Sequence, residues 1–193
     1  MFDKICAQAG PCRQEVLEPT IELAVEIARE GREGRRVGTL FTVGDERAVL
    51  EHSRALILDP LAGHPDEVKH ITDPNLRGTI KELAQLDGAF VISDAGVVVS
   101  ACRYLDATTA DRVELPLGLG SRHFAAASIS KKTRAIAVVV SESAMVRVFD
   151  DGALIAEVVP ELWLLSRHSV QLRAPFTEEY AGDMAVLVKQ PRG

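Results

Sequence analysis

Asp87, beside Gly88, and the pair Arg122-His123, behind the loop Gly118-Leu119-Gly120-Ser121, are the residues of this chain best suited to chemistry. A carboxylate next to glycine suits a divalent cation, or a proton taken from a hydroxyl, because the glycine permits close approach to the backbone. The same aspartate also serves as an ordinary turn residue, and the tripeptide Asp87-Gly88-Ala89 alone does not separate the two. The second stretch, GLGSRHFAAA at 118–127, leads from a glycine-rich loop through Ser121, as N-cap, into a helix. First-turn N–H groups have no partner inside a helix, and its dipole favours an anion there. Loop, helix end and the Arg122 guanidinium therefore converge on one place for a phosphate. His123 reads either as a packed core histidine or as a phosphate contact, and its place beside Arg122 favours the second. A third piece, Ser141-Glu142, follows the apolar run 135–140, at the strand end where open α/β sheets hold their ligands.

These residues need elements to position them, and hydrophobic spacing supplies a set. Leu17, Ile21, Ala24 and Ala28 recur at helical spacing over 13–30, with Pro19 in the first turn or kinking a longer helix, and Gly31 as C-cap. The segment REGRR at 32–36 reads as a charged, solvated turn. A strand follows at 37–43, a short helix at 46–52 and a second apolar run at 54–59. Asp73-Pro74 reads as an N-cap with proline at the first helical position, opening a helix to about Leu86. Runs at 88–93 and 96–101, joined by Asp94-Ala95-Gly96, form a hairpin, and the segment from Tyr104 to Pro116 is a polar connection. It leads to the glycine loop and the helix of 121–132. Strands at 135–140, 146–149 and 153–158 come next, the last two joined by Asp150-Asp151-Gly152. Beyond 160 stand an apolar patch around Trp163 and a last strand at 184–188. Alternating strands and helices with interspersed hairpins define the fold class: α/β, a mixed β-sheet flanked by helices. We expect a single domain over 1–193, with a core at about 37–158, an N-terminal helix at 13–30 and a C-terminal extension at 160–193.

Composition sets limits. At 193 residues the chain is long enough for a sizeable core, and 47% hydrophobic with 26% charged residues is the balance of a soluble globular protein. A net charge of −6 argues against a domain that grips a nucleic-acid backbone. The three cysteines, Cys6, Cys12 and Cys102, have no metal-ligand spacing and no even count for a disulfide framework, which suits a reducing cytoplasm. No segment approaches the roughly 20 apolar residues of a membrane span.

Taken together, Asp87-Gly88-Ala89, the context Gly120-Ser121-Arg122-His123-Phe124-Ala125-Ala126, Tyr104-Leu105 between them and Ser141-Glu142 after the strand resemble the diadenylate cyclase family. That family's hallmarks are an Asp-Gly-Ala and an Arg-His-Arg motif. The resemblance covers about 37–158 and is nearest in wording to archaeal members. It implies a nucleotidyltransferase that condenses two ATP into cyclic di-AMP and two pyrophosphates, with Mg²⁺ or Mn²⁺. Each 3′-hydroxyl attacks the α-phosphorus of the other ATP, so two protomers must face each other in a homodimer or larger assembly. It assigns Asp87 to hydroxyl activation and to the metal, and Arg122 and His123 to the phosphates. Gly88, Ala89, Gly120, Ser121, Ser141 and Glu142 join the substrate site, with Tyr104 and Leu105 against adenine and ribose.

One position departs from the pattern. Phe124 stands where the hallmark has its second arginine, which removes a phosphate contact unless Lys131, Lys132 or Arg134 replaces it. A rival reading follows, in which the chain binds ATP or cyclic di-AMP as a sensor with little or no cyclase activity. A purely structural α/β interaction domain is the third.

Overall fold

The structure, a computed structural model, describes residues 14–107, 113 and 115–161, together with the backbone of two further strands at Phe176–Ala181 and Met184–Lys189. The chain divides into two compact units, 1–160 and 161–193. The division falls at Pro160, where the sequence sets off its extension.

The first unit is built on one seven-stranded sheet. Helix α1 (Gln14–Glu30) leads through a tight turn at Glu33-Gly34, both with positive φ, to β1 (Thr39–Val43). Then come α2 (Glu46–Glu51), β2 (Ser53–Ala55), α3 (Pro74–Leu83), β3 (Ala89–Ile92) and β4 (Val98–Leu105). Helix α4 (Ser121–Lys132) precedes β5 (Ile136–Val140), β6 (Val146–Asp150) and β7 (Ala153–Val158). The order across the sheet is β2-β4-β3-β1-β5-β6-β7; β1 and β3 run parallel and every other pair runs antiparallel. This is the expected α/β class with a mixed sheet.

The central strands are apolar because both their faces are covered. All residues of β1, β3 and β5 are buried, and alternate side chains go to opposite faces. Leu40, Ala89, Val91, Ala137, Val139 and Phe149 meet Ala126, Ala127 and Ile129 of α4. Phe41 and Phe90 lie on the alternate face, their rings stacked 5.1 Å apart, and α1 packs over β1, β5 and β6. Each fully buried Val, Leu or Phe contributes about 1.5–3 kcal/mol, so this double-sided packing holds the site's scaffold. Pro19 lies inside α1, so the longer, proline-interrupted helix is the arrangement found.

Local signals place the remaining elements. Asp73 caps α3, its Oδ1 accepting from the Asn75 and Leu76 amides at 2.8 and 3.0 Å. Arg77 and Lys81 of α3 bond to Glu26 of α1, with Lys81 also reaching Glu30. In the second unit, β8 (Phe176–Ala181) pairs antiparallel with β9 (Met184–Lys189). The expected strand at 184–188 is therefore present, its partner was missed, and the apolar patch at Trp163 lies outside the described residues.

Candidate active site

Arg122 is the centre of the site. It is the second residue of α4, and its guanidinium lies between two carboxylates: Nη2 is 3.8 Å from Asp87 Oδ1, and Nη1 donates to Glu142 Oε1 at 3.1 Å. Asp87 comes from the turn between α3 and β3, and Glu142 from the turn between β5 and β6. Parallel pairing of β1 with β3, and antiparallel pairing of β1 with β5, brings those two turns to one end of the sheet. Gly38, just before β1, leaves room for the arginine: a Cβ there would stand 2.8 Å from Arg122 Nη1 and 3.3 Å from Glu142 Cγ.

Three clefts meet at this guanidinium. One is lined by Arg32, Arg35 and Arg36 of the turn before β1, and the other two lie along the start of α4. The first of these two is largely apolar and is lined by Leu40, Leu56, Tyr104, Leu105, Phe124 and Ala125, with Asp87 and Gly88 at its edge. The second is polar and is lined by Gly118–His123, Ser141–Ser143 and Arg147. Ser121 and Arg122 belong to both. An elongated ligand, apolar at one end and anionic at the other, matches this division.

The individual residues fall as follows. Asp87 is 82% exposed, and Oδ1 accepts from the Gly88 amide at 3.0 Å, so most of its lone pairs are open. Gly88 has φ +108°, and a Cβ there would stand 2.5 Å from the Cys102 carbonyl carbon and 2.7 Å from the Arg103 amide nitrogen. Its glycine is required by the approach of β4, where Cys102 itself has φ +54° at a register shift. Ala89 is buried against α4 and lines neither cleft, so its side chain serves the packing of β3 on that helix. Tyr104 lines the apolar cleft with Arg54 stacked on its ring at 4.6 Å, while Leu105 both lines that cleft and belongs to the core.

Ser121 is not the N-cap. Gly120 takes that position with an extended backbone, and its carbonyl accepts from the His123 and Phe124 amides. No side chain caps the helix, so the Ser121 hydroxyl is left to the clefts. Ser141 bonds Ser143 through their hydroxyls at 2.6 Å, beside the exposed Glu142.

His123 is only 7% exposed and stands edge-on to Phe149. Burial, then the charges of Arg147 and Arg122, hold its pKa below the ordinary value, with the Gly120 backbone and Glu157 opposing. Its place in the polar cleft agrees with the expected position near the phosphates, with burial and the two arginines favouring the neutral ring.

The cations proposed to replace the missing arginine sit elsewhere. Lys131 pairs with Asp151, Lys132 donates to the Asp106 carbonyl and Arg134 lies near Asp45, all at the opposite end of α4. Arg147 of β6, which sequence reasoning missed, lines the polar cleft instead. Its signal was weak: an arginine among alternating valines reads as the solvated face of a strand.

Fold and site together define a class: an α/β domain of mixed sheet, carrying an acid–arginine–acid cluster at a helix start. The chain belongs to the DAC family, whose description is DisA bacterial checkpoint controller nucleotide-binding, and residues 26–154 match that family's model. It is 52% identical over 154 residues to a diadenylate cyclase of Methanocaldococcus jannaschii, covering 79% of this chain and 48% of that protein. A diadenylate cyclase of Haloferax volcanii is 44% identical over 151 residues, covering 77% of this chain and 54% of that one. The chain thus spans about half the length of these curated relatives. Among solved structures, DacA from Staphylococcus aureus superposes with TM-score 0.50 at 23% identity, covering 80% of this chain and 95% of that one. A hypothetical membrane-spanning protein from Bacillus cereus gives TM-score 0.53 at 21% identity, over 72% and 62% of the two chains. These two likenesses concern the fold. Among the described residues of this chain, no helix is long and apolar enough to cross a membrane.

Proposed function

We propose that this domain is a diadenylate cyclase, joining two ATP into cyclic di-AMP with release of two pyrophosphates. The observation that carries the reading is the Arg122 guanidinium between Asp87 and Glu142, at the junction of an apolar and an amide-lined cleft. The adenosine fits the cleft of Tyr104, Leu105 and Phe124, and the triphosphate fits the uncapped start of α4. Ribose then lies near Asp87 and the α-phosphorus near Arg122. Asp87 assists removal of the proton from the 3′-hydroxyl, while Arg122 stabilises the charge that develops on the α-phosphoryl oxygens. Two 3′-O–P bonds form, two α–β phosphoanhydride bonds break, and two protons leave with the pyrophosphates.

The residues present fit a divalent cation in one respect. Asp87 offers an exposed carboxylate, and no cluster of three or more His, Cys, Asp or Glu stands ready among the described residues. That donor set suits Mg²⁺ or Mn²⁺ carried by substrate phosphates and water with one protein carboxylate. Such an ion supplies charge neutralisation at the phosphates and acidifies the attacking hydroxyl. Cyclic di-AMP is made from two ATP and one cleft holds one, so each 3′-hydroxyl must meet the α-phosphorus of a second ATP. The reaction therefore needs a second copy facing the first, and the exposure of Asp87 leaves it open to that partner. We assign this activity to the unit of residues 1–160, with 161–193 as an appended unit.

Mass spectrometry of the chain incubated with ATP and Mn²⁺ tests the proposal. Cyclic di-AMP is expected, as is its loss in Asp87→Asn with an unchanged Tm. ATP binding without product would favour the sensor, and no adenine-nucleotide binding would favour the structural domain. Specific activity that falls on dilution toward monomer is expected of the facing pair.

A further inference from the structure

The polar cleft contains a side chain that the reading above does not use. Arg147 is 14% exposed; its Nε donates to Glu157 Oε1 at 2.6 Å and its Nη1 lies 3.2 Å from His123 Nε2. A guanidinium has five N–H donors and no acceptor. Two are used here, and the others have no partner among the described residues, although the group lines the cleft. His123 carries the complementary oddity: its Nδ1 is buried beside the Gly120 backbone without a well-formed hydrogen bond. Because Arg147 only donates, His123 Nε2 must accept, so the neutral ring bears its proton on Nδ1. A buried N–H without a well-formed bond costs stability, which an acceptor brought to this wall of the cleft can recover.

We propose that Arg147 is the second phosphate-binding cation of the helix-end cleft, and that it holds His123 as a neutral donor whose Nδ1–H is left for the same oxyanion. The proposal deepens the nucleotide reading and rests on it. Glu157 holds the guanidinium through Nε, which leaves its Nη2 donors for a ligand. Arg122 and Arg147 then approach the polyphosphate from α4 and β6, while the aromatic ring of Phe124 serves the apolar cleft. The charged groups around His123 agree with its neutral form: Arg122 on its own helix and Arg147 on β6 oppose protonation, and Glu157 on β7 opposes them only in part.

The test compares ATP with adenosine, each titrated calorimetrically into the full chain with Mn²⁺. Arg147→Met is expected to weaken ATP roughly 10- to 100-fold, the value of a charge-assisted contact, and to leave adenosine unchanged. Nitrogen-15 NMR of the wild-type chain is expected to show His123 protonated on Nδ1 and bare on Nε2. The Nδ1–H resonance should move on addition of ATP but not of adenosine. An unchanged ratio of ATP to adenosine affinity in Arg147→Met overturns the proposal, whatever its Tm. If that variant does not fold, a protonated Nε2 in the wild-type chain, or an Nδ1–H indifferent to ATP, overturns it equally. Failure of the wild-type chain to bind either ligand sinks the nucleotide reading itself.

Discussion

Helices α3 and α4 are of similar length and begin in opposite ways. The start of α3 is closed by its own sequence: Asp73 accepts from the Asn75 and Leu76 amides, and Pro74 fills the first helical position. The start of α4 is left open, with Gly120 as N-cap and no side chain bonded to the first-turn amides. Positive side chains are gathered there as well, although a cation at the positive end of a helix dipole is unfavourable by about 0.3–1 kcal/mol. Stability alone accounts for α3. At α4, local stability is given up at the place where an anion would recover it.

Four changes test that contrast. The largest effect is expected from Arg122→Ala, which should lower kcat for cyclic di-AMP by roughly 100- to 1,000-fold, as loss of a transition-state donor does. Its Tm should change little, because a charge that opposed the dipole is removed together with its partly exposed pair to Glu142. Steady-state kinetics beside a melting curve reads both, and a fall in activity that merely follows lost stability would break the contrast.

Gly120→Asp should come next. The Gly120 backbone is extended and a Cβ there meets nothing within 4 Å, so aspartate fits as a cap like Asp73. It should stabilise the fold by roughly 0.5–1 kcal/mol in denaturant titration. Occupying the amides with a fixed carboxylate should weaken ATP roughly tenfold or more in the same preparation. The mirror substitution, Asp73→Ala, should cost about 1 kcal/mol of stability with kcat and KM unaltered.

The smallest effect is one of pH. Burial and neighbouring arginines depress the folded-state pKa of His123 below its ordinary 6.5. The unfolded chain therefore binds more protons, and stability contributed by the neutral ring is complete above pH 6.5 and declines as pH falls toward the folded value. Urea titrations at a series of pH values should show this slope in the wild-type chain and a shallower one in His123→Gln.

Much of this contrast was legible in the residues themselves. Asp73-Pro74, the Asp94-Ala95-Gly96 turn and the glycine loop before Arg122 are local signals, and local chemistry decides turns and caps. The fully apolar run of β5 likewise announces a strand covered on both faces. What stayed hidden depends on contacts between distant segments. Gly88 looked like room for a ligand, yet it is room for the backbone of β4. Ser121 looked like the cap, but Gly120 carries that geometry, one residue earlier. Arg147 was obscured by a bulge between Val148 and Phe149. The turn at Asp151-Gly152 pairs Asp150 with Ala153 and Phe149 with Leu154, a register that would set Arg147 against Ala156. The bulge slips it by one residue and brings Glu157 opposite. No residue type in the strand marks that slip in advance.

The tight seat of Gly88 against β4 has a consequence for which nucleosides are accepted. Asp87 hangs from a residue pressed on the backbone of Cys102 and Arg103, and the following residues of that strand, Tyr104 and Leu105, wall the apolar cleft. The acid and the wall are thus marks on one ruler, its spacing set where Gly88 meets β4. A nucleotide whose sugar hydroxyl sits nearer to or farther from its base than in adenosine would enter such a gauge and still miss the acid.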